Sequence, residues 1–161
     1  NEGNKSTFTR NKIRGHIDWQ FLDRLRERWA GKLILKGVLS ADDAVRIRDA
    51  GADAVYVSNH GGRQLDAAPA AIDVLPEIRQ AVGADYPLIF DSGIRSGEGI
   101  VKALALGADF VMLGRPFLYA SGADGQRGVY RLVELLKNDL LLVLAQIGCI
   151  DVSQIDHNVL A

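Results

Sequence analysis

Four short stretches of this sequence collect side chains that can bind anions and move protons. In Ser58-Asn-His-Gly-Gly-Arg-Gln-Leu-Asp66, His60 stands three residues ahead of Arg63 in a glycine-containing segment. An imidazole accepts a proton near neutral pH, and a guanidinium can grip a carboxylate through two parallel bonds. The pair therefore suits an acid substrate that carries a nearby acidic proton. Asp91-Ser-Gly-Ile-Arg-Ser-Gly97 and Gly114-Arg115 each combine glycine with arginine and lead toward a helix, which offers backbone N–H groups and a forked cation to a phosphate. Lys36 closes the apolar run Leu33-Ile34-Leu35, where an ammonium is costly to bury unless it meets a ligand or a counter-charge. Taken singly, these features have ordinary readings: a loop histidine is more often polar surface, and a glycine turn serves the turn. Their convergence is what favours a site.

Convergence follows from the elements between them. Short apolar runs at Leu33–Leu35, Ala54–Val57, Pro87–Phe90 and Phe110–Leu113 read as strands buried on both faces, and helical patterns alternate with them. Ser40 opens the first of these helices, with Ala44 and Ile47 on its apolar face. Ile72, Leu75, Ile78 and Val82 mark the second, and Ile100, Val101 and Leu104 the third. The tripeptide Gly-Ala-Asp at 51–53, 83–85 and 107–109 introduces three of the strands, with glycine placed to end the preceding helix. Such alternation predicts a parallel sheet with right-handed crossovers, whose functional groups lie just past the C-terminal ends of the strands. Those are the positions of Lys36, the His60 loop and the two glycine–arginine turns. A phosphate site on the last two loops is the recurrent pattern of phosphate-binding barrels, and it favours half of a (β/α)8 TIM barrel over an open sheet.

Two further helices are expected: one from Asp18 through Phe21, Leu22, Leu25 and Trp29 to about Gly31, and a longer one from Gly128 to Gly148. The first sixteen residues are polar and basic, and read as a flexible loop or the end of an upstream insertion, leaving 17–161 as the barrel portion.

Composition narrows the classes. The 161 residues are 48% hydrophobic and 24% charged, as in an ordinary globular domain, and the net charge of −1 gives no field that would attract nucleic acid. One cysteine, Cys149, excludes an internal disulfide and a cysteine-based zinc site and fits a reducing compartment, by default the cytoplasm. It reads as a small packing residue, and His16 and His157 stand in polar segments with no metal-ligand spacing around them. Trp19 and Trp29 read as helix-face residues. The longest apolar run, Leu140 to Ala145, is too short to span a bilayer.

At its chemical residues the chain resembles the FMN-dependent α-hydroxy acid oxidase and dehydrogenase family, which includes glycolate oxidase, flavin-linked lactate dehydrogenase and mandelate dehydrogenase. The resemblance rests on the 58–66 stretch together with Leu-Lys-Gly at 35–37, Asp-Ser-Gly-Ile-Arg at 91–95, Lys-Ala-Leu-Ala-Leu-Gly-Ala at 102–108 and Gly-Arg-Pro at 114–116. It implies FMN as cofactor, where the phosphate turns alone would equally suit a sugar phosphate. It also implies His60 as the base, Arg63 as the ligand of the substrate carboxylate, and Lys36 at the pyrimidine edge of the flavin with Ser58 beside it. Asp91, Ser92, Gly93, Ile94, Arg95, Gly114 and Arg115 would hold the ribityl phosphate end. The implied reaction is oxidation of an L-2-hydroxy acid, such as lactate or mandelate, to the 2-oxo acid.

Members of that family have a barrel of roughly twice this length. The resemblance therefore implies an N-terminal half that supplies substrate-side tyrosines and an acidic partner for the base. The expectation is that this chain is one piece of a larger active unit, a homo-oligomer when intact, and that some bacterial relatives sit at the inner face of the cell membrane through an insertion upstream. Arg10, Lys12 and Arg14 are compatible with the end of such an insertion. The competing readings are a non-catalytic fragment of such an enzyme and a different phosphate-binding FMN barrel, such as a flavin-dependent isomerase.

Overall fold

The structure, a computed structural model, describes residues 17–160, so the expected flexible opening and its basic residues lie outside it. The chain divides into two compact units, 1–33 and 34–161. In the first, α1 (Trp19–Arg28) starts where Asp18 accepts a hydrogen bond from the Phe21 amide at 2.7 Å, and Leu22 is its buried residue. It stops short of Gly31. The Arg26 guanidinium draws the following chain back by donating to the carbonyls of Trp29 and Gly31, while Trp29 turns extended and its indole N–H donates to the Lys32 carbonyl at 3.0 Å. Trp29 is thus a cap rather than a residue of the helix face.

The second unit is built on a parallel sheet of four strands in sequence order: β1 (Ile34–Val38), β2 (Ala54–Val57), β3 (Leu88–Phe90) and β4 (Phe110–Val111). Helices α2 (Ala41–Asp49), α3 (Ala71–Val82) and α4 (Gly97–Ala105) alternate with the strands, and α5 (Arg115–Gln146) follows. The buried core comprises Leu75, Ile78 and Val82 of α3, Val101 and Ala103 of α4, and Val55, Val57, Leu88 and Phe90 of the two central strands. Burying each of the larger of these side chains contributes about 1.5–3 kcal/mol.

The repeated Gly-Ala-Asp has a common cause in backbone geometry. Gly51 and Gly107 have φ of +83° and +105°, and in both the following alanine amide reaches back to the carbonyl five residues earlier, Ala52 to Ile47 at 3.2 Å and Ala108 to Ala103 at 3.0 Å. This double turn satisfies helix-end carbonyls and needs a residue free to adopt positive φ. Gly83 also has positive φ, but its helix end is closed by Arg79. That guanidinium donates to the carbonyls of Gly83 (2.8 Å), Ala84 (3.1 Å), Tyr86 (2.7 Å) and Gly107 (2.8 Å) and pairs with Asp109 at 2.5 Å. Asp109 in turn accepts from the Leu88 amide at 2.7 Å, so one arginine ties α3, β3 and the start of β4 together.

Three boundaries differ from the sequence reading. Strand β1 runs past Lys36 to Val38, because the pairing register with β2 shifts at Gly37, whose φ of +96° lets the strand bulge and resume. Strand β4 is two residues rather than four, since the chain leaves the sheet beyond Val111 to reach the helix that begins at Arg115. Helix α5 therefore starts well ahead of Gly128, although a break at Asp124–Gly125 divides it. The outer strands are not covered on both faces as expected: Ile34 and Phe110 are 47% and 59% exposed.

Candidate active site

The C-terminal ends of the four parallel strands open into one cleft of about 480 Å³, and every residue singled out from the sequence lines it except Ser58. Ser58 is fully buried just beneath, at the end of β2. Parallel strands in sequential order put Lys36, His60, Asp91 and Arg115 on one rim, as the alternation of elements required.

The floor of the cleft is an ionic cluster. The Lys36 ammonium pairs with Asp91, donates to the Ser58 hydroxyl at 3.2 Å and lies 3.4 Å from the centroid of the Tyr56 ring. Asp91 also accepts from the Tyr56 hydroxyl at 2.8 Å and the Ser92 hydroxyl at 2.8 Å. Burial by itself would raise the Asp91 carboxyl. The hydrogen bonds from Lys36, Ser58, Ser92 and Tyr56 outweigh it and hold the group below its ordinary value, so it is an anion.

Above this floor the His60 loop is held amide by amide. The amides of Asn59 and His60 donate to the hydroxyls of Ser92 (3.2 Å) and Ser58 (3.1 Å), and the Gly61 amide donates to the Asn59 side chain at 2.9 Å. Both non-glycine residues with positive φ among those described, His60 at 57° and Ser92 at 89°, belong to this arrangement. Backbone strain of that kind persists only where the surroundings fix it. His60 itself is exposed to the cleft and packs over Gly37, where a Cβ would come within 2.7 Å of its Cε1. Arg63 is exposed on the same loop.

On the far side, Arg115 donates to the Gly61 carbonyl at 2.7 Å, and Arg95 donates to the Ile94 carbonyl at 3.0 Å. The two helix N-termini here are unlike. That of α4 is filled from within, by Ser96 accepting from the Gly99 amide and Asp139 from the Gly97 amide at 2.6 Å. That of α5 has no side-chain cap and faces the cleft through Gly114 and Arg115. Beside Gly93 and Gly114 a Cβ would meet nothing within 4 Å, so the backbone there borders open space in a cleft that Arg95 and Arg115 also line.

Three features were not legible in the sequence. Tyr56 sits in an apolar strand and gave no signal, because its role depends on standing opposite Lys36 in the β1–β2 register. Met112, Leu113 and Leu118 form an apolar wall of the cleft, hidden by the assumption that β4 ran to Leu113. Gln64 also lines the cleft, within the stretch singled out but without a role of its own. Among the described residues no cluster of three or more histidine, cysteine or acidic side chains could hold a metal ion, and no helix is long and apolar enough to cross a membrane.

The fold is half of a (β/α)8 barrel, with cationic side chains and glycine turns gathered on the rim at the C-terminal ends of its strands. The chain belongs to the FMN-dependent dehydrogenase family, whose sequence model matches residues 1–161. An L-lactate dehydrogenase of Caulobacter sp. is 46% identical over 145 residues, covering 90% of this chain and 38% of its own length. An L-lactate oxidase of Nostoc sp. is 43% identical over 154 residues, or 96% of this chain and 42% of its own. The solved structure of a monotopic membrane protein, (S)-mandelate dehydrogenase, superposes with a TM-score of 0.85 at 48% identity, over 88% of this chain and 38% of that one. The chain thus spans about two fifths of the length of the relatives it matches. FMN is the cofactor that this family membership assigns. The residues present fit it: two arginines, an uncapped helix N-terminus and open space at Gly93 and Gly114 make a donor set for a phosphate monoester.

Proposed function

We propose that this chain carries the base, the carboxylate anchor and the cofactor-phosphate site for FMN-dependent oxidation of an L-2-hydroxy acid, lactate or mandelate being the class, to the 2-oxo acid. The observation that supports it most is the single cleft in which His60 and Arg63 face the two arginine-bearing turns across the Lys36–Asp91 pair.

Bound FMN supplies the two-electron acceptor. The chain's own residues do the rest. Arg63 holds the substrate carboxylate by a bidentate pair and so fixes the α-carbon in the cleft. An imidazole nitrogen of His60 takes a proton from the substrate, from the α-carbon or from its hydroxyl, while the loop bonds to Ser58 and Ser92 keep the ring in place. Lys36 stabilises negative charge that develops on the cofactor side of the cleft. Arg95, Arg115 and the amides around Gly93 and Gly114 take the phosphate. Asp91, Ser92 and Ile94 bound that end of the cleft. We infer residues 17–161 to be the barrel portion. We infer a cytoplasmic protein, which the single cysteine fits, and peripheral membrane association draws support from the likeness to the monotopic membrane protein (S)-mandelate dehydrogenase.

The test is His60→Ala in the holoenzyme, followed by stopped-flow flavin reduction with L-lactate and L-mandelate. FMN content should be unchanged and reduction slower by roughly 10²–10⁴-fold, the usual worth of a positioned general base. Near-normal reduction would remove His60 from the reaction. No reduction by either acid in the unsubstituted holoenzyme would favour the non-catalytic reading instead.

A further inference from the structure

The cluster under the cleft contains one residue that neither the sequence motifs nor the proposed chemistry accounts for. Tyr56 is the register partner of Lys36 on the neighbouring strand, so both side chains leave the sheet on the same face and meet. Its ring lies under the Lys36 ammonium at 3.4 Å, and its hydroxyl donates to the same Asp91 Oδ2 that pairs with that ammonium. We propose that Tyr56 is a positioning residue. It fixes the Lys36 cation through its ring face and moderates the Asp91 counter-charge through its hydroxyl, so that a net positive potential is delivered to the cofactor side of the cleft. This rests on the proposed placement of Lys36 against FMN.

The physical case starts from what Lys36 lacks without Tyr56. A lysine side chain is a point charge on a flexible four-carbon stem, and a single carboxylate partner leaves its direction poorly defined. An aromatic face supplies attraction from a second direction, and here the two partners lie on different strands, β2 and the end of β3. Ser58 supplies a third contact at 3.2 Å. The ammonium is therefore held from three sides.

The hydroxyl acts on the counter-charge. Asp91 would cancel much of the field of Lys36 if its carboxylate were otherwise unpartnered. Instead it accepts hydrogen bonds from Tyr56, Ser92 and Ser58 as well as from Lys36, which fill about as many acceptor sites as a carboxylate offers. Each neutral donor takes up part of the carboxylate's negative charge, which lessens its cancellation of the Lys36 field. Burial, then the hydrogen bond and the charge of Asp91, push the Tyr56 phenol well above its ordinary range, so it remains a donor throughout the working range of pH. A residue that only filled space would need neither the ring-face contact nor the hydrogen bond.

The experiment compares Tyr56→Phe, Tyr56→Leu and Lys36→Met in the holoenzyme. For each, the dissociation constants of oxidised and reduced FMN are measured by fluorescence titration under air and under dithionite, with the thermal unfolding midpoint alongside. Tyr56→Phe should raise the ratio of the reduced to the oxidised constant by about fivefold, part of the worth of a hydrogen bond to a charged group. Tyr56→Leu, which also loses the ring face, should raise it by about tenfold or more. A structural role alone would lower the unfolding midpoint and weaken both redox forms equally. A ratio unchanged in both tyrosine variants while Lys36→Met shifts it overturns the role of Tyr56 and leaves Lys36 in place. A ratio unchanged in Lys36→Met shows instead that Lys36 does not face the cofactor, and the inference falls with that reading.

Discussion

Arg63 is the residue whose chemistry is most exposed to a simple substitution. It is a solvent-facing guanidinium on a loop that other residues hold, so replacing it need not disturb the fold. Arg63→Lys keeps the charge and loses the fork. Because a carboxylate read bidentately fixes orientation as well as affinity, we expect kcat/KM for the hydroxy acid to fall on the order of 100-fold with FMN binding unchanged. Steady-state kinetics with an unchanged kcat/KM would mean that another group anchors the carboxylate. At this scale the sequence was informative through position: Lys36, His60, Arg63, Arg95 and Arg115 stand just past the predicted strand ends, and the alternation of elements brings them to one rim. The pairings among them were not legible. That Lys36 meets Asp91, and that Ser58 and Ser92 hold the histidine loop, depends on strand register and on two residues at positive φ, which residue types do not encode.

Helices and turns carry the next two expectations. The open N-terminus of α5 and the turn at Gly93–Arg95 face one space, while the N-terminus of α4 is already filled by Ser96 and Asp139. Binding at the first pair should therefore depend on the phosphate. Arg95→Ala or Arg115→Ala should weaken FMN by about tenfold and riboflavin, which has no phosphate, by less than about twofold, as isothermal titration would read. Equal losses for both ligands would place the arginines elsewhere. On the opposite rim, Arg79 is largely buried and satisfies four carbonyls and Asp109 at once. Arg79→Met keeps the aliphatic stem and strands those acceptors, at a cost of about 2–4 kcal/mol, which corresponds to roughly 5–15 °C in the unfolding midpoint. Calorimetry showing a drop of a degree or two would make the clamp incidental. The Gly-Ala-Asp repeat announced where helices end but not how: two of the three close by the same backbone turn, and the third needs this arginine from one turn upstream. Strand lengths were misjudged for a related reason, since an apolar run continues whether or not the backbone stays paired, as Met112 and Leu113 beyond β4 illustrate.

At the scale of the whole chain, the sheet and its surroundings disagree about solvent. Strands β2 and β3 are buried along nearly their whole length, but the outer strands are not: β1 exposes Ile34 and β4 exposes Phe110, with Met112 just beyond it 42% exposed. Each outer strand of an open parallel sheet also presents a row of unpaired backbone groups, which in parallel architectures are ordinarily covered. Helix α5 adds Leu118, Tyr119, Leu141 and Leu142, all more than half exposed. Apolar surface removed from water contributes about 25 cal/mol per Å², so even partial coverage of these edges outweighs the modest charge repulsion of a chain whose net charge is −1. We therefore expect the 161-residue polypeptide, purified by itself, to run in gel filtration well above its 17.5 kDa mass, through association with copies of itself. The same material should bind FMN weakly, because among the described residues the cleft that holds His60, Lys36 and the phosphate turns stays open to water. Salt is the discriminating variable: association driven by these edges should persist or strengthen as ionic strength rises, whereas pairing between surface charges should dissolve. A monodisperse 17.5 kDa species that holds FMN tightly and turns over a hydroxy acid would show that the four-stranded unit tolerates its open edges and is sufficient for the reaction.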